Sequence, residues 1–584
     1  MKLSERYNLH YDKHVLCRAV AIAIGSISLL LSSVPLFANP IPDAGSILRD
    51  QQNQMQNLPQ LPFSAPVKEA LPSDESTLRV SVKAFVFSGY EGLASEAELQ
   101  AVVAGAVGKN LSFAELSGEA EKVTAYLKQK GWFLARAYLP KQDVTMGTIE
   151  IAVTPGKSDG NLTINRDKEV RISDKKLRGF VKSALEEGKP INERALERSV
   201  LLISDLPGIS ARASLAPGTM TGTSGVELAV AEGPVFSGSI WSDNQGNLYT
   251  GEWRANSMFT FNDPFCCGDQ VTLLLTEGER LRQGRVGYLF PIGYDGLKGN
   301  LAYTAMNYEL GSDLLILQYG GKSSSIDAGL SYPMRRSRAG NIITSISYSN
   351  KSLIDSQYEI ELHHKRVNSV LFTTNADHYD TILGGGYSSL NIAVTAGTVH
   401  EANQQAAAAA SNRSEGRYAR LNVTVMRQQR LTEKINLNVS VSGQRADDLL
   451  DSSEKFSLGG PNGVRAYPIS EASGDEGELL NAEIRYSPAV PKGWGSLQFS
   501  GFYDAGHIRL QKHEVEIPAT ATNLNSYWLR GAGFGISYAI DGRLTLRGSW
   551  AWVIGDNPGR SVAGNNADGR SDKSRMWLMA LFSF

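Results

Sequence analysis

From Val235 to Phe584 apolar and polar residues alternate with no helical period, the pattern of strands that turn one face to lipid and the other to water. Ile435, Leu437, Val439 and Val441 share one face, against Asn436, Asn438, Ser440 and Ser442 on the other. Farther on, Leu544, Leu546, Trp550 and Trp552 oppose Arg543, Thr545, Arg547 and Ser549. Soluble sandwiches also alternate, but seldom carry charges along a whole strand face with tryptophans at its end. The segments between turn signals number about sixteen, an even count as in single-chain bacterial barrels. A closed barrel of that size encloses an aqueous lumen unless something fills it. Asp263-Pro264-Phe265-Cys266-Cys267-Gly268-Asp269 reads as a periplasmic turn between the second and third strands, and Gln404 to Ser414 as a surface loop. The final strand, with Met576, Leu578, Ala580, Phe582 and Phe584 on one face, reads as an assembly signal for an outer membrane.

At the other end, Lys2, Arg6, Lys13 and Arg18 precede an apolar run from Ala19 to Leu31, and Leu36-Phe37-Ala38 offers a cleavage site. We read residues 1–38 as a secretory signal peptide, since the run is shorter than the ~20 residues of a spanning helix. Without Cys17 only the adjacent Cys266 and Cys267 remain, so no disulfide framework is expected and the pair is assigned no chemistry. Residues 39–57 hold a helix around Ile47, Leu48 and Arg49 that is too hydrophilic for an apolar core; it is expected to plug a polar channel, with a solvated arm as the alternative. Pro59, Pro62, Pro66 and Pro72 make 58–77 an extended linker.

Two small α/β modules follow, over 78–157 and 158–233. In the first, Ser95-Glu96-Ala97-Glu98 and Ser112-Phe113-Ala114-Glu115 are capping boxes that open two helices, flanked by strands at Leu78 to Phe87, Phe133 to Leu139 and Thr148 to Val153. The second repeats this order from Leu162 to Ala231, so two copies of ~75 residues stand in tandem. Nearly balanced charge, Lys+Arg 58 against Asp+Glu 60, leaves no footprint for nucleic acid. No nucleophile elbow, zinc-spaced histidine pair or phosphate loop is present. His363 and His364 are adjacent and face opposite sides of a strand, and Gly384 to Gly386 reads as a turn. No catalytic, metal or cofactor site is therefore expected, and the chain is not read as an enzyme.

One segment breaks the barrel pattern: Phe456-Ser457-Leu458-Gly459-Gly460-Pro461-Asn462-Gly463-Val464-Arg465-Ala466-Tyr467-Pro468. Its glycines and prolines exclude an interior strand, yet it carries an arginine and two aromatics, as a loop tip buried in a lumen would.

With these residues in order the chain resembles the two-partner secretion transporters (TpsB proteins, of the haemolysin and haemagglutinin secretion type), within the superfamily of outer-membrane barrels bearing POTRA domains. Gly131-Trp132-Phe133-Leu134-Ala135-Arg136-Ala137-Tyr138-Leu139-Pro140 with Gly147-Thr148-Ile149-Glu150-Ile151 resembles that family's first POTRA domain, and Leu201 to Ile209 its second. Asp243-Asn244-Gln245-Gly246-Asn247 resembles the start of its barrel. Leu458, Gly459, Gly460, Val464, Arg465, Ala466 and Tyr467 match the signature loop, spanning 455–475, and Phe502-Tyr503-Asp504-Ala505-Gly506 a wall motif. The resemblance implies a transmembrane barrel preceded by two POTRA domains and a plug helix, with the loop folded back into the lumen and Arg465 paired with Asp504. Phe502 and Gly506 complete the wall, and Asp475, Glu476 and Glu483 are weaker competitors for Arg465. Ala466 departs from a usual glycine, which puts the backbone of the tip in question. The implied function is capture of a secreted β-rich exoprotein partner (TpsA type) in the periplasm and its export through the outer membrane. Outer-membrane lipids are implied partners, as are periplasmic chaperones and the barrel assembly machinery during biogenesis. The alternatives are an outer-membrane protein assembly factor and a passive porin.

Overall fold

The computed structural model describes residues 41–55, 79–144, 146–167, 170–220, 222–403, 405, 414–491, 493–513 and 520–584. The expected leader, the 58–77 linker and most of the 404–414 loop lie outside the described residues.

Helix α1 spans Ala44–Met55. The first module runs β1 (Arg79–Ser81), β2 (Ala84–Ser88), α2 (Glu96–Val103), β3 (Asn110–Ser112), α3 (Phe113–Gln129), β4 (Arg136–Tyr138) and β5 (Thr148–Thr154). Ser95 and Ser112 close capping boxes with Glu98 and Glu115, satisfying amide donors that a first helical turn leaves open. Leu99, Val103, Leu116, Val123 and Leu127 then pack on Phe85, Ile149 and Ile151 of a sheet in the order β2-β5-β4. The run from Leu78 to Phe87 is not one strand. β1 pairs with β3 in a sheet of its own and β2 with β5, because the Lys83 amide leaves the first partner for Gly147 O at 2.7 Å. Alternation records which face is buried and not which neighbour a strand has. The run from Phe133 to Leu139 likewise shortens to β4, since Phe133 and Leu134 turn away into the core of the next module.

That second module contains β6 (Lys157–Arg166), α4 (Asp174–Val181), α5 (Glu193–Ser204), β7 (Ile209–Pro217) and β8 (Thr223–Glu232), with sheet order β6-β8-β7. The two modules are fused tightly: Glu193 N donates to Gly131 O at 2.8 Å, and a Cβ on Gly156 would lie 2.4 Å from that of Leu134.

The barrel strands are β9 (Phe236–Asp243), β10 (Arg254–Asn262), β11 (Gln270–Gly278), β12 (Leu281–Ile292), β13 (Leu297–Glu309), β14 (Tyr319–Arg335), β15 (Gly340–Gln357) and β16 (Ile360–Asp380). They continue with β17 (Gly386–Glu401), β18 (Gly416–Arg430) and β19 (Ile435–Ala446). A short hairpin, β20 (Phe456–Leu458) and β21 (Ala472–Gly474), stands apart before β22 (Glu476–Tyr486), β23 (Ser496–Arg509), β24 (Ser526–Ile540), β25 (Leu544–Val553) and β26 (Ser574–Ser583). Sixteen antiparallel strands among the described residues, β9–β19 and β22–β26, close into one barrel, which leaves no unpaired edge in lipid. Phe534, Trp550 and Trp552 cluster on its exposed outer face. Closure comes from β26 against β9, where Met579–Ser583 pair with Asp243–Ser239. Phe584 extends that seam by exchanging two 2.9 Å backbone bonds with Gly238; a Cβ there would lie 2.6 Å from the Phe584 ring.

The second module docks on the turns at one end of the barrel. Arg336 makes a bidentate pair with Asp205 (2.8 and 2.7 Å), Arg198 donates to Pro333 O (2.8 Å) and covers the Tyr332 ring, and Phe180 meets Tyr294 edge-on. The turn at 263–269 lies at the same end: Arg171 donates to Asn262 O at 3.0 Å, and Lys176 contacts Cys267 O. Cys266 and Cys267 are free thiols there. Gly384 and Gly385, at φ of +93° and +102°, form another turn between β16 and β17.

Candidate functional site

The lumen is filled by two segments, α1 and the loop between β19 and β22. Asp43 Oδ1 accepts from Ser46 N at 2.8 Å and so caps α1, while Ala44 N donates to Asp355 Oδ1 of the wall at 2.8 Å. Ala44, Ile47 and Leu48 are buried against Tyr308, Leu353, Val367, Val399 and Tyr418. The rest of the helix is held by polar contacts. Arg254 of β10 donates to Gln51 (3.1 Å) and contacts Gln54, and Arg49 donates to Ser452 O (3.0 Å), Ser470 Oγ (2.9 Å) and Ser473 Oγ (2.7 Å) of the loop. Ser470 in turn donates to the Asp50 carboxylate at 2.7 Å. Helix and loop are thus hydrogen-bonded to each other as well as to the wall.

The loop enters through an acidic stretch. Glu454 accepts from Lys351 (2.7 Å) and Arg420 (2.9 Å), and Asp451 from Lys365 (2.9 Å). The β20–β21 hairpin follows, and Gly459 and Gly460 turn the chain at φ of +93° and +86°. At the tip Val464, Ala466 and Tyr467 have 0% of their surface exposed. Arg465 reaches the wall: its Nε and Nη2 lie 2.9 and 2.8 Å from the two Asp504 oxygens, and Nη1 lies 2.8 Å from Glu483. The guanidinium stacks on Phe502, 3.3 Å from the ring centroid, and Trp577 Nε1 donates to Arg465 O at 2.8 Å. A planar fork held by two carboxylates and a ring face is a geometry that lysine does not reproduce.

Glu483 is a full partner of Arg465 here and not a weaker competitor; Asp475 instead pairs with Lys455 and Glu476 with Lys512. Ala466 does not have a positive φ, so alanine brings no backbone strain. Its Cβ occupies the place a Cβ on Gly531 of β24 would need, 2.6 Å away, and Leu458 fills the space left by Gly506 in the same manner. Several contacts escape sequence reasoning: the wall cations Lys351, Lys365 and Arg420, the glycine at 531, and Glu471, which is fully buried and bonded to Asn557 and Ala567 N of the β25–β26 loop. The acidic run Asp447 to Glu454 was the one visible signal among them. The rings of His363 and His364 have separate partners, Glu401 and Ser352. Among the described residues no cluster of three or more His, Cys, Asp or Glu is placed to hold a metal ion.

A closed barrel whose lumen holds a polar helix and a loop, with α/β modules at one mouth, defines an outer-membrane transporter whose modules stand in the periplasm. Residues 222–538 match the family described as haemolysin secretion/activation protein ShlB/FhaC/HecB, and 80–156 the POTRA domain of ShlB type. The chain belongs to this family, the TpsB transporters of two-partner secretion. Heme/hemopexin transporter protein HuxB of Haemophilus influenzae is 26% identical over 604 residues, spanning 100% of each chain. Outer membrane transporter CdiB of Escherichia coli is 26% identical over 465 residues, 76% of this chain and 77% of that one. In fold the chain resembles the solved structure of CdiB from Escherichia coli, with a TM-score of 0.73, 20% identity, and coverage of 94% of this chain and 100% of that one.

Proposed function

We propose that the chain captures an unfolded, β-rich exoprotein in the periplasm through its POTRA domains and conducts it through the barrel to the cell surface. The observation that carries this reading is the filled lumen. Neither α1 nor the loop tip contributes a strand to the barrel ladder, so both can leave without breaking it, as a bistable plug must. The outer edge of β7, paired only with β8, supports capture by strand addition, which reads backbone and little sequence. Arg465, held by Asp504 and Glu483, is the latch of the loop, with Leu458, Gly459, Gly460, Val464, Ala466 and Tyr467 shaping its tip, Phe502 and Gly506 its wall, and Ile47, Leu48 and Arg49 seating the plug helix.

The apolar outer face takes outer-membrane lipid. Periplasmic chaperones and the barrel assembly machinery act in biogenesis, where the Phe584 seam is the feature to recognise. The reading uses no catalytic step, cofactor or metal. Comparing the secreted and surface proteins of a deletion strain with its complemented parent tests it. Loss of a single large β-rich exoprotein with other barrels unchanged is expected; a broad fall in outer-membrane proteins identifies an assembly factor, and no change a porin. The full-length relative is named as a heme/hemopexin transporter, so growth on haemopexin-bound haem belongs among the phenotypes scored.

A further inference from the structure

The charges that hold the loop are distributed unevenly. Lys351 on β15, Lys365 on β16 and Arg420 on β18 belong to the fixed wall, and the carboxylates they contact belong to the removable segments: Glu454 and Asp451 to the loop, with Asp43 just before α1 at 3.5 Å from Lys365. Glu454 and Asp451 are 2% and 1% exposed, so each sits in the wall as a bound ligand would. The wall offers these cations little else. The remaining contacts of Arg420 are the neutral amides of Asn422 (2.8 Å) and Gln444 (3.0 Å). Of the nearby wall carboxylates, Asp355 accepts from Tyr308 at 2.6 Å and also attracts Lys365, and Glu401 lies 3.0 Å from His363. Withdrawing both segments therefore leaves Lys351 and Arg420 without a carboxylate and Lys365 with Asp355 alone, a local excess of positive charge that an incoming anion relieves. A cavity of about 570 Å³ beside α1 reaches Lys351, Arg420 and Glu454, lined also by uncharged side chains such as Thr373, Asn375, Asn391 and Thr424.

We propose that Lys351, Lys365 and Arg420 form a carboxylate-receiving site, filled at rest by Asp451 and Glu454 and during transport by acidic side chains of the passing polypeptide. The inference rests on the transport reading and deepens it: the loop is an internal mimic of its cargo, and cargo acids exchange for loop acids at the same cations. Opening is then coupled to arrival of the right chain, since a neutral segment leaves that excess of charge uncompensated. The neighbouring wall of β22 and β23, where Glu483 and Asp504 lose Arg465, has the opposite charge and does not share this preference.

The test reconstitutes the full chain in planar bilayers and adds, on the POTRA side, an extended Gly/Ser peptide carrying spaced glutamates, or the same peptide with glutamine or lysine in their place. The glutamate peptide is expected to raise opening events about tenfold over the glutamine peptide, the ratio that a difference of about 1.4 kcal/mol gives. Lys351→Gln with Lys365→Gln and Arg420→Gln should abolish the difference. Because that variant also weakens loop anchoring, a second reverses the site while keeping it paired: K351E/R420E/E454K should be opened by the lysine peptide instead. Retained heat-modifiable migration confirms that both barrels fold. Equal responses to the three peptides, a triple glutamine variant that still discriminates, or a reversed variant that still prefers glutamate would each overturn the proposal. Peptide responses in a bilayer are independent of export in the cell, so this site and the transport reading fail separately.

Discussion

The two segments that fill the lumen are built from different materials. The loop tip buries Val464, Ala466 and Tyr467 completely and drives an arginine between two carboxylates and a phenyl ring. It is tied to strands on both sides, β19 before and β22 after. Helix α1 buries Ala44, Ile47 and Leu48, carries the buried Arg49–Asp50 pair entirely on itself, and meets the wall and loop through hydrogen bonds to amides, hydroxyls, Asp355 and Arg254. An ion pair whose two members sit on one helix leaves intact and is rehydrated with it, whereas withdrawing Arg465 separates it from Asp504 and Glu483. On the proposed transport reading, the helix is accordingly expected to leave more readily than the loop.

The largest effect that can break this comparison comes from Arg465→Ala. It leaves Asp504, 0% exposed, without its counter-ion and weakens loop docking by about 3–5 kcal/mol. Export of the partner is expected to collapse while barrel abundance and heat-modifiable migration stay near normal; export at the parental level would show that the tip is not a seal. Next is Leu48→Ala, which removes a fully buried side chain of α1 and costs helix docking about 2–3 kcal/mol. Uptake of large antibiotics and spontaneous openings should rise while export persists. If this variant lost export as completely as Arg465→Ala, the two segments would not differ as argued. A smaller change sharpens the loop side alone: a Cβ on Gly531 collides with that of Ala466, so Gly531→Ala should weaken docking by about 1–3 kcal/mol. Adding Ala466→Gly should restore it, and bilayer opening frequencies for the four chains of that cycle measure the coupling.

What the sequence revealed follows from the range of each signal. Alternation is a local property, so strands such as Ile435–Ala446 are legible one at a time, and their number and lipid face imply a closed barrel. The capping boxes at Ser95 and Ser112 are equally local. Partner choice is not, and for that reason the Leu78 to Phe87 run reads as one strand although it serves two sheets. The candidate site divides the same way. Arg465 stands out as a lone cation in a glycine-rich loop, but the residues alone left Asp475, Glu476, Glu483 and Asp504 as possible acids, and resemblance singled out one where the wall supplies two. Lys351 with Glu454, or Gly531 with Ala466, are distant in the chain, and nothing local marks a glycine as the space for another residue's methyl.

The smallest prediction concerns the contact that joins helix to loop. Ser470 bridges Arg49 and Asp50 through one hydroxyl and does so from a left-handed backbone, φ +56°, which a non-glycine residue adopts at a cost. Ser470→Ala removes the bridge and keeps the strained backbone, so α1 should loosen by about 1 kcal/mol and openings rise modestly. Ser470→Gly removes the same bridge while relaxing the loop, so its openings should fall below those of Ser470→Ala. The decisive control deletes residues 44–55. If the hydroxyl acts only by coupling the plugs, Ser470→Ala is silent in that background; if openings rise as much as in the full chain, the serine supports the loop itself and the helix and loop release independently.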